Sequence, residues 1–177
     1  SLALEIKNSY PDTPDDRFAT FIRTAHRLGL DIQARQIYMI ARKSGQQTKW
    51  SIEASIDGFR VIADRTGHYS PGRETEFRYK GNALESATVY ILKLAGGTWH
   101  EVASTAYFDE YNCDNFMWKK MPRTMIAKCA EALGLRKCFP AQLSGIYTGD
   151  EMQQADNPEP PNGKVLPMPP PIREESK

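Results

Sequence analysis

Two strand-like runs around a glycine pair, Ala87 to Leu94 and Thr98 to Phe108 flanking Gly96-Gly97, constrain this chain more than any other feature. Adjacent glycines supply the positive φ angles of a tight turn, and a tight turn joins only antiparallel strands. A second hairpin is expected nearer the start. Gln36 to Arg42 is strand-like, Ser44-Gly45-Gln46-Gln47 makes a turn, and Lys49 to Ala54 returns. Helices are interleaved with these hairpins. Thr13 is a candidate N-cap, Pro14 suits the first helical position, and Phe18, Phe21, Ile22, Ala25 and Leu28 keep helical spacing up to Gly29. Asp57-Gly58 reads as a turn before a short helix from Phe59 to Arg65, and Pro122 to Leu135 is the strongest helix. The expected fold class is α+β, with antiparallel β hairpins or a small sheet packed against several helices.

The boundaries follow from composition. Residues 1–12 show only weak patterning and read as an N-terminal lead-in. From Asn157 the prolines of Asn157-Pro158-Glu159-Pro160-Pro161 and Pro167-Met168-Pro169-Pro170-Pro171 cannot bury a core, so 156–177 is expected to be a disordered linker or tail. That leaves 13–155 as the core domain, with the polar stretch 68–86 unassigned. Of the 177 residues 40% are hydrophobic, enough for one core, and no apolar run approaches the roughly 20 residues of a membrane span. Cys113, Cys129 and Cys138 are odd in number and lack CxxC spacing. They argue against a disulfide framework or a zinc knuckle and for a reducing cytoplasm, with Cys129 in the core. The Ser1 start carries no signal-peptide pattern.

The formal net charge is only +1, but its distribution is uneven. Between Trp118 and Pro140 stand Lys119, Lys120, Arg123, Lys128, Arg136 and Lys137, against the lone acid Glu131. On a helix, Met125, Ile126, Cys129, Ala132 and Leu133 gather into an apolar arc with Arg123 and Lys128 at its opposite borders. Cations so placed suit a phosphate track that does not read bases. Residues 17–49 add Arg17, Arg23, Arg27, Arg35, Arg42, Lys43 and Lys49 against Asp31. Trp50, Phe59, Trp99, Tyr111, Phe116 and Trp118 could stack on unpaired bases. Most suit a core, and Trp118, beside two lysines, is the best candidate for exposure.

Motifs for catalysis are missing: no GxxxxGK loop, GxSxG elbow or HExxH occurs. His26, His68 and His100 stand alone and read as ordinary surface, core or strand residues. Glu53, Asp57, Asp64, Glu74 and Glu76 are the acids that a two-metal nuclease would have to converge, and nothing local announces that convergence.

Four ordered blocks resemble the phage Bet recombination proteins, of the Red beta and RecT group of single-strand annealing proteins. They are Gly29-Leu30-Asp31 through Arg35-Gln36-Ile37-Tyr38; Ser55-Ile56-Asp57-Gly58-Phe59-Arg60-Val61-Ile62-Ala63; Trp118 through Phe139-Pro140; and Leu143-Ser144-Gly145-Ile146-Tyr147 with Glu151-Met152. The blocks span 29–152, and the stretch 70–115 carries none of them. The resemblance implies an α+β annealing core that assembles into rings or helical filaments and pairs strands without ATP. It is not an enzyme in that reading and has no catalytic residue. It also implies single-stranded DNA and an annealed duplex intermediate held in a basic groove, in the cytoplasm of a bacterial host. Carried onto this chain, Arg123, Lys128 and Arg136 fall at the basic positions of the third block, supported by Lys119, Lys120, Lys137, Trp118, Arg60 and Lys49. No cofactor or metal site is expected, Mg2+ entering only as an aid to annealing. Family members commonly carry a C-terminal module that contacts an exonuclease or the host single-strand binding protein. Two other readings stay open: a metal-dependent nuclease using Asp57, Asp64 or Glu53, and a coating protein that binds single strands without annealing them.

Overall fold

A computed structural model of the chain describes residues 2–44 and 46–156. Gly45 of the first expected turn and the Pro-rich stretch from Asn157 onward lie outside the described residues. The fold is built on the expected glycine hairpin. Strands β5 (Ala83–Ala95) and β6 (Thr98–Tyr107) pair from Ser86↔Tyr107 to Ala95↔Thr98. Gly96 and Gly97 close the turn at φ 60° and 76°, a conformation that side chains with a Cβ resist.

The stretch 68–86 resolves into two short strands on the free edge of β5. Strand β3 (Tyr69–Pro71) pairs with Ile91–Lys93, and β4 (Glu76–Lys80) pairs with Ala83–Thr88 across a register shift at Arg78/Tyr79. Between them Gly72 donates its N–H to the Tyr90 carbonyl at 3.0 Å. A Cβ at Gly72 would stand 2.3 Å from that oxygen, so only glycine permits this approach.

Helix α6 (Pro122–Cys138) lies across this four-stranded sheet against β5 and β6. Gly134 marks the closest point, where a Cβ would meet Ile91 Cδ1 at 2.6 Å and Ser104 Cβ at 3.1 Å. The helix runs three residues past the expected end at Leu135, and Met125, Ile126, Cys129, Ala130, Ala132, Leu135 and Cys138 are all buried. Burial pushes the Cys129 thiol up, as suits an inert core cysteine.

The first hairpin forms a separate two-stranded sheet, β1 (Ile37–Ser44) with β2 (Gln47–Ala54), each strand slightly longer than expected. Helix α2 (Asp15–Leu28) packs beside it. It ends at Gly29 in the left-handed region as expected, but its start differs. Pro14 occupies the cap position without a side-chain bond, and Thr13 is buried instead of capping. The lead-in is also more ordered than its pattern suggested. Helix α1 (Leu2–Asn8) forms, and Tyr10 packs edge-on against Phe21 of α2 with ring centroids 5.3 Å apart. Seven residues are too few for helical periodicity to register.

Helix α3 (Ile56–Asp64) starts three residues earlier than its pattern indicated. Its cap is Ser55, whose Oγ accepts the Gly58 N–H at 3.2 Å, so Asp57-Gly58 belongs to the first turn of the helix. Gly58 is there for space: a Cβ would lie 2.3 Å from the Gln36 carbonyl oxygen, which also accepts the Ser55 N–H at 3.0 Å. Gly58→Ala is expected to cost about 1–3 kcal/mol by forcing these segments apart. A urea midpoint unchanged from wild type would count against that contact.

The chain is completed by α4 (Phe108–Tyr111), α5 (Phe116–Lys120), α7 (Pro140–Leu143) and α8 (Gly149–Asp156). One buried cluster joins α2, α3, β1 and the C-terminal half of α6, and another joins Ala87, Ala106, Tyr111 and Trp118 to its N-terminal half. No described helix is long and apolar enough to cross a membrane.

Candidate nucleic-acid interface

Helix α6 leaves one face partly open to solvent. Arg123, Thr124, Ala127, Lys128 and Glu131 follow the spacing i, i+1, i+4, i+5, i+8, which at about 100° per residue keeps them on one face. Arg123 and Lys128 fall at the two borders of that face, about 140° apart on the same arithmetic. The face forms one wall of a groove of about 660 Å³, closed by Glu74, Thr75 and Phe77 from the β3–β4 side, Val89 of β5 and Arg60 of α3.

Three expected DNA-binding residues therefore meet in one place: Arg60, Arg123 and Lys128. Their states differ. Arg60 donates to both Glu131 carboxylate oxygens at 2.7 and 2.6 Å and to Asp57 at 2.9 Å, so its guanidinium is spent on protein acids. The Glu131 hydrogen bonds hold it well above its ordinary pKa, and it shapes the groove wall. Arg123 and Lys128 form no ion pair among the described residues and carry the groove's available positive charge. Lys128 also borders a second cavity of about 160 Å³ with Tyr38, Asp57 and Asp150. Burial raises the Asp150 pKa, and the nearby Lys128 charge opposes that rise.

The remaining expected residues disperse. Lys119 and Lys120 are exposed on α5, just ahead of Arg123 in the chain, with Lys119 paired to Asp114 at 3.3 Å. Lys137 is exposed in the last turn of α6, and Lys49 is exposed on β2 opposite Arg42. Neither lines the groove.

Trp118 requires correction. It is 1% exposed and packs edge-on against Phe108, with centroids 5.6 Å apart, so it is core and not a base-stacking surface. The exposed aromatic of that helix is Phe116, which is 70% exposed. Residues two apart on a helix point about 200° apart, so one of the pair had to face out. Charge next to Trp118 pointed to the wrong one.

Arg136 also departs from its expected position. Its guanidinium pairs with Glu151, donates to the Ile146 carbonyl at 2.6 Å and lies over the rings of Phe59 and Tyr147. It is occupied by the protein's own interior. The helical wheel held the signal, since Arg136 falls at about 220° from Arg123, in the middle of the apolar arc, once α6 is extended past Leu135.

The acids considered for metal chemistry do not converge. Glu53 is fully buried and bound to Arg42 and Ser51, while Asp57 faces Arg60. Among the described residues, no group of three or more His, Cys, Asp or Glu side chains could hold a metal ion. His26, His68 and His100 are exposed and apart.

The chain is thus an α+β core with a groove along its central helix that Arg123 and Lys128 border. The particular family follows from the sequence as a whole: a family model described as the RecT family matches residues 1–162, and the chain belongs to that family. Its members are single-strand annealing proteins of phage-type recombination, which bind DNA and oligomerise. No match is found among curated proteins.

Proposed function

We propose that this protein binds single-stranded DNA and the nascent duplex along the α6 groove and pairs complementary strands without nucleotide hydrolysis. The observation that carries this reading is the pairing of Arg123 and Lys128 on opposite borders of one groove-facing stripe. Cations on a groove would hold backbone phosphates and leave the bases free to meet a partner. Adjacent copies in a ring or helical filament would extend the groove into a continuous track, with a phage exonuclease and the host single-strand binding protein as partners in the bacterial cytoplasm. A correct pairing then releases stacking free energy of about 1.4 kcal/mol per base-pair step, which drives annealing with no cofactor beyond free Mg2+.

Mixing two complementary dye-labelled oligonucleotides with the protein tests this directly. Energy transfer between the dyes is expected to rise faster than for the strands alone, with no ATP present. Strand lengths should remain unchanged in Mg2+. Slower pairing than in buffer would identify a coating protein, and shortened strands would identify a nuclease.

A further inference from the structure

Phe116 forgoes burial, and the structure around it holds that position firmly. The Asn115 side-chain oxygen accepts the N–H groups of Met117 and Trp118 at 3.0 and 3.2 Å, capping α5. Trp118, locked against Phe108, fixes the helix's rotation. Phe116 is thereby presented outward on a rigid mount, 70% exposed, with Met117 and Met121 partly exposed beside it in the chain.

A lysine lies against the ring as well as apolar side chains. Lys120 Nζ lies 5.4 Å from the Phe116 ring centroid, and Lys119 and Arg123 are exposed within the same short run. Asp114 is tied to Lys119, and Asp109 and Glu110 of α4 are the other exposed acids nearby in the chain. An aromatic ring with lysines close at hand matches the two needs of a single strand: a flat face for a base and positive charge for the phosphates on either side. A purely apolar protein partner would gain nothing from Lys119 and Lys120.

We propose that Phe116 is a base-stacking platform for single-stranded DNA, set where α5 leads into the groove helix at Arg123. This rests on the annealing reading and deepens it. The platform would hold one base of the incoming strand out of its own stack, while Lys119, Lys120 and Arg123 take the adjoining phosphates. Every base has a π face, so the contact is indifferent to sequence, as annealing requires.

The test uses the full chain and fluorescence anisotropy with a labelled oligothymidine and with a strand of equal length that carries abasic sites. Phe116→Ala and Phe116→Leu are expected to weaken binding to the normal strand by about 5- to 100-fold, the range for one stacked base, and Phe116→Tyr to restore it. On the abasic strand all four proteins should bind equally. Wild-type affinity in Phe116→Leu, or an equal loss by Phe116→Ala on both strands, would overturn the platform. Light scattering without DNA supplies the other outcome: a smaller assembly for Phe116→Ala would make this face a contact between copies and also overturn it. Failure of wild-type protein to speed annealing would sink the broader reading alone, since the abasic comparison reads binding.

Discussion

Arg136→Ala is expected to lower the stability of the fold by about 2–4 kcal/mol while leaving the DNA affinity of the folded fraction nearly unchanged. The cost arises from what the substitution strands. Glu151 keeps only 9% of its side chain exposed, and one of its oxygens accepts the backbone N–H and the hydroxyl of Thr148 at 2.7 and 3.0 Å. With Arg136 gone, that carboxylate stays buried without its counter-charge, and the Ile146 carbonyl loses its donor. Arg136 itself retains 25% side-chain exposure, which places the effect below the full 3–5 kcal/mol of a wholly buried pair. For a chain of this size each kcal/mol shifts Tm by about 2–4 °C, so a fall of roughly 5–15 °C should appear in a circular-dichroism melt. Glu151→Gln keeps one acceptor oxygen for Thr148 and turns an NH2 group toward Arg136, but it strands no buried carboxylate and should lose less. An Arg136→Ala protein with wild-type Tm and lost DNA binding would return Arg136 to the phosphate track.

Arg136 also helps tie the four sequence blocks together in space. Ser55 binds the Gln36 carbonyl, Ala54 donates to the Tyr147 carbonyl at 3.0 Å, and Arg136 joins α6 to Ile146, Glu151 and Phe59. These contacts dock distant segments of the chain on one another, and Arg136 serves that docking. A cation in a basic segment was legible as a cation. Its partner, 15 residues away, was not.

The same division runs through the fold. The glycine hairpin, the first hairpin, α2 and α6 were legible because turn chemistry and local periodicity specify them. Strands β3 and β4 were not, because three and five residues carry no period of their own, and their register comes from β5. Arg123 and Lys128 fall at the borders of the apolar arc by helical phase alone. Arg60 was named without its restraint, since Glu131 lies 71 residues away and no local pattern joins them. Trp118 turns inward and Phe116 outward because helix phase, and not neighbouring charge, sets which side chain faces the core.

With Arg60 held by Glu131 and Asp57, and Arg136 held by Glu151, the groove's available cations are Arg123 and Lys128, set across from the acid Glu74. Arg123→Ala combined with Lys128→Ala is therefore expected to weaken single-strand binding by on the order of 10- to 100-fold near 0.1 M salt, with little change in Tm. The salt dependence gives the sharper reading. Each phosphate contact on a single strand contributes about 0.7 to the slope of log affinity against log salt, so loss of both should flatten the slope by about 1.4. Lys49→Ala with Lys137→Ala removes the same formal charge from positions that do not line the groove. Surface charges more than a Debye length of about 10 Å from a strand are largely screened, so this control pair is expected to stay within about threefold of wild type. Annealing should fall in parallel with binding in the groove variant, because a strand that is not held cannot be presented. If both pairs lose affinity equally, the protein binds through diffuse positive charge and the groove has no special role. If only the groove pair loses it, and the slope drops with it, the phosphates lie along α6 between Arg123 and Lys128.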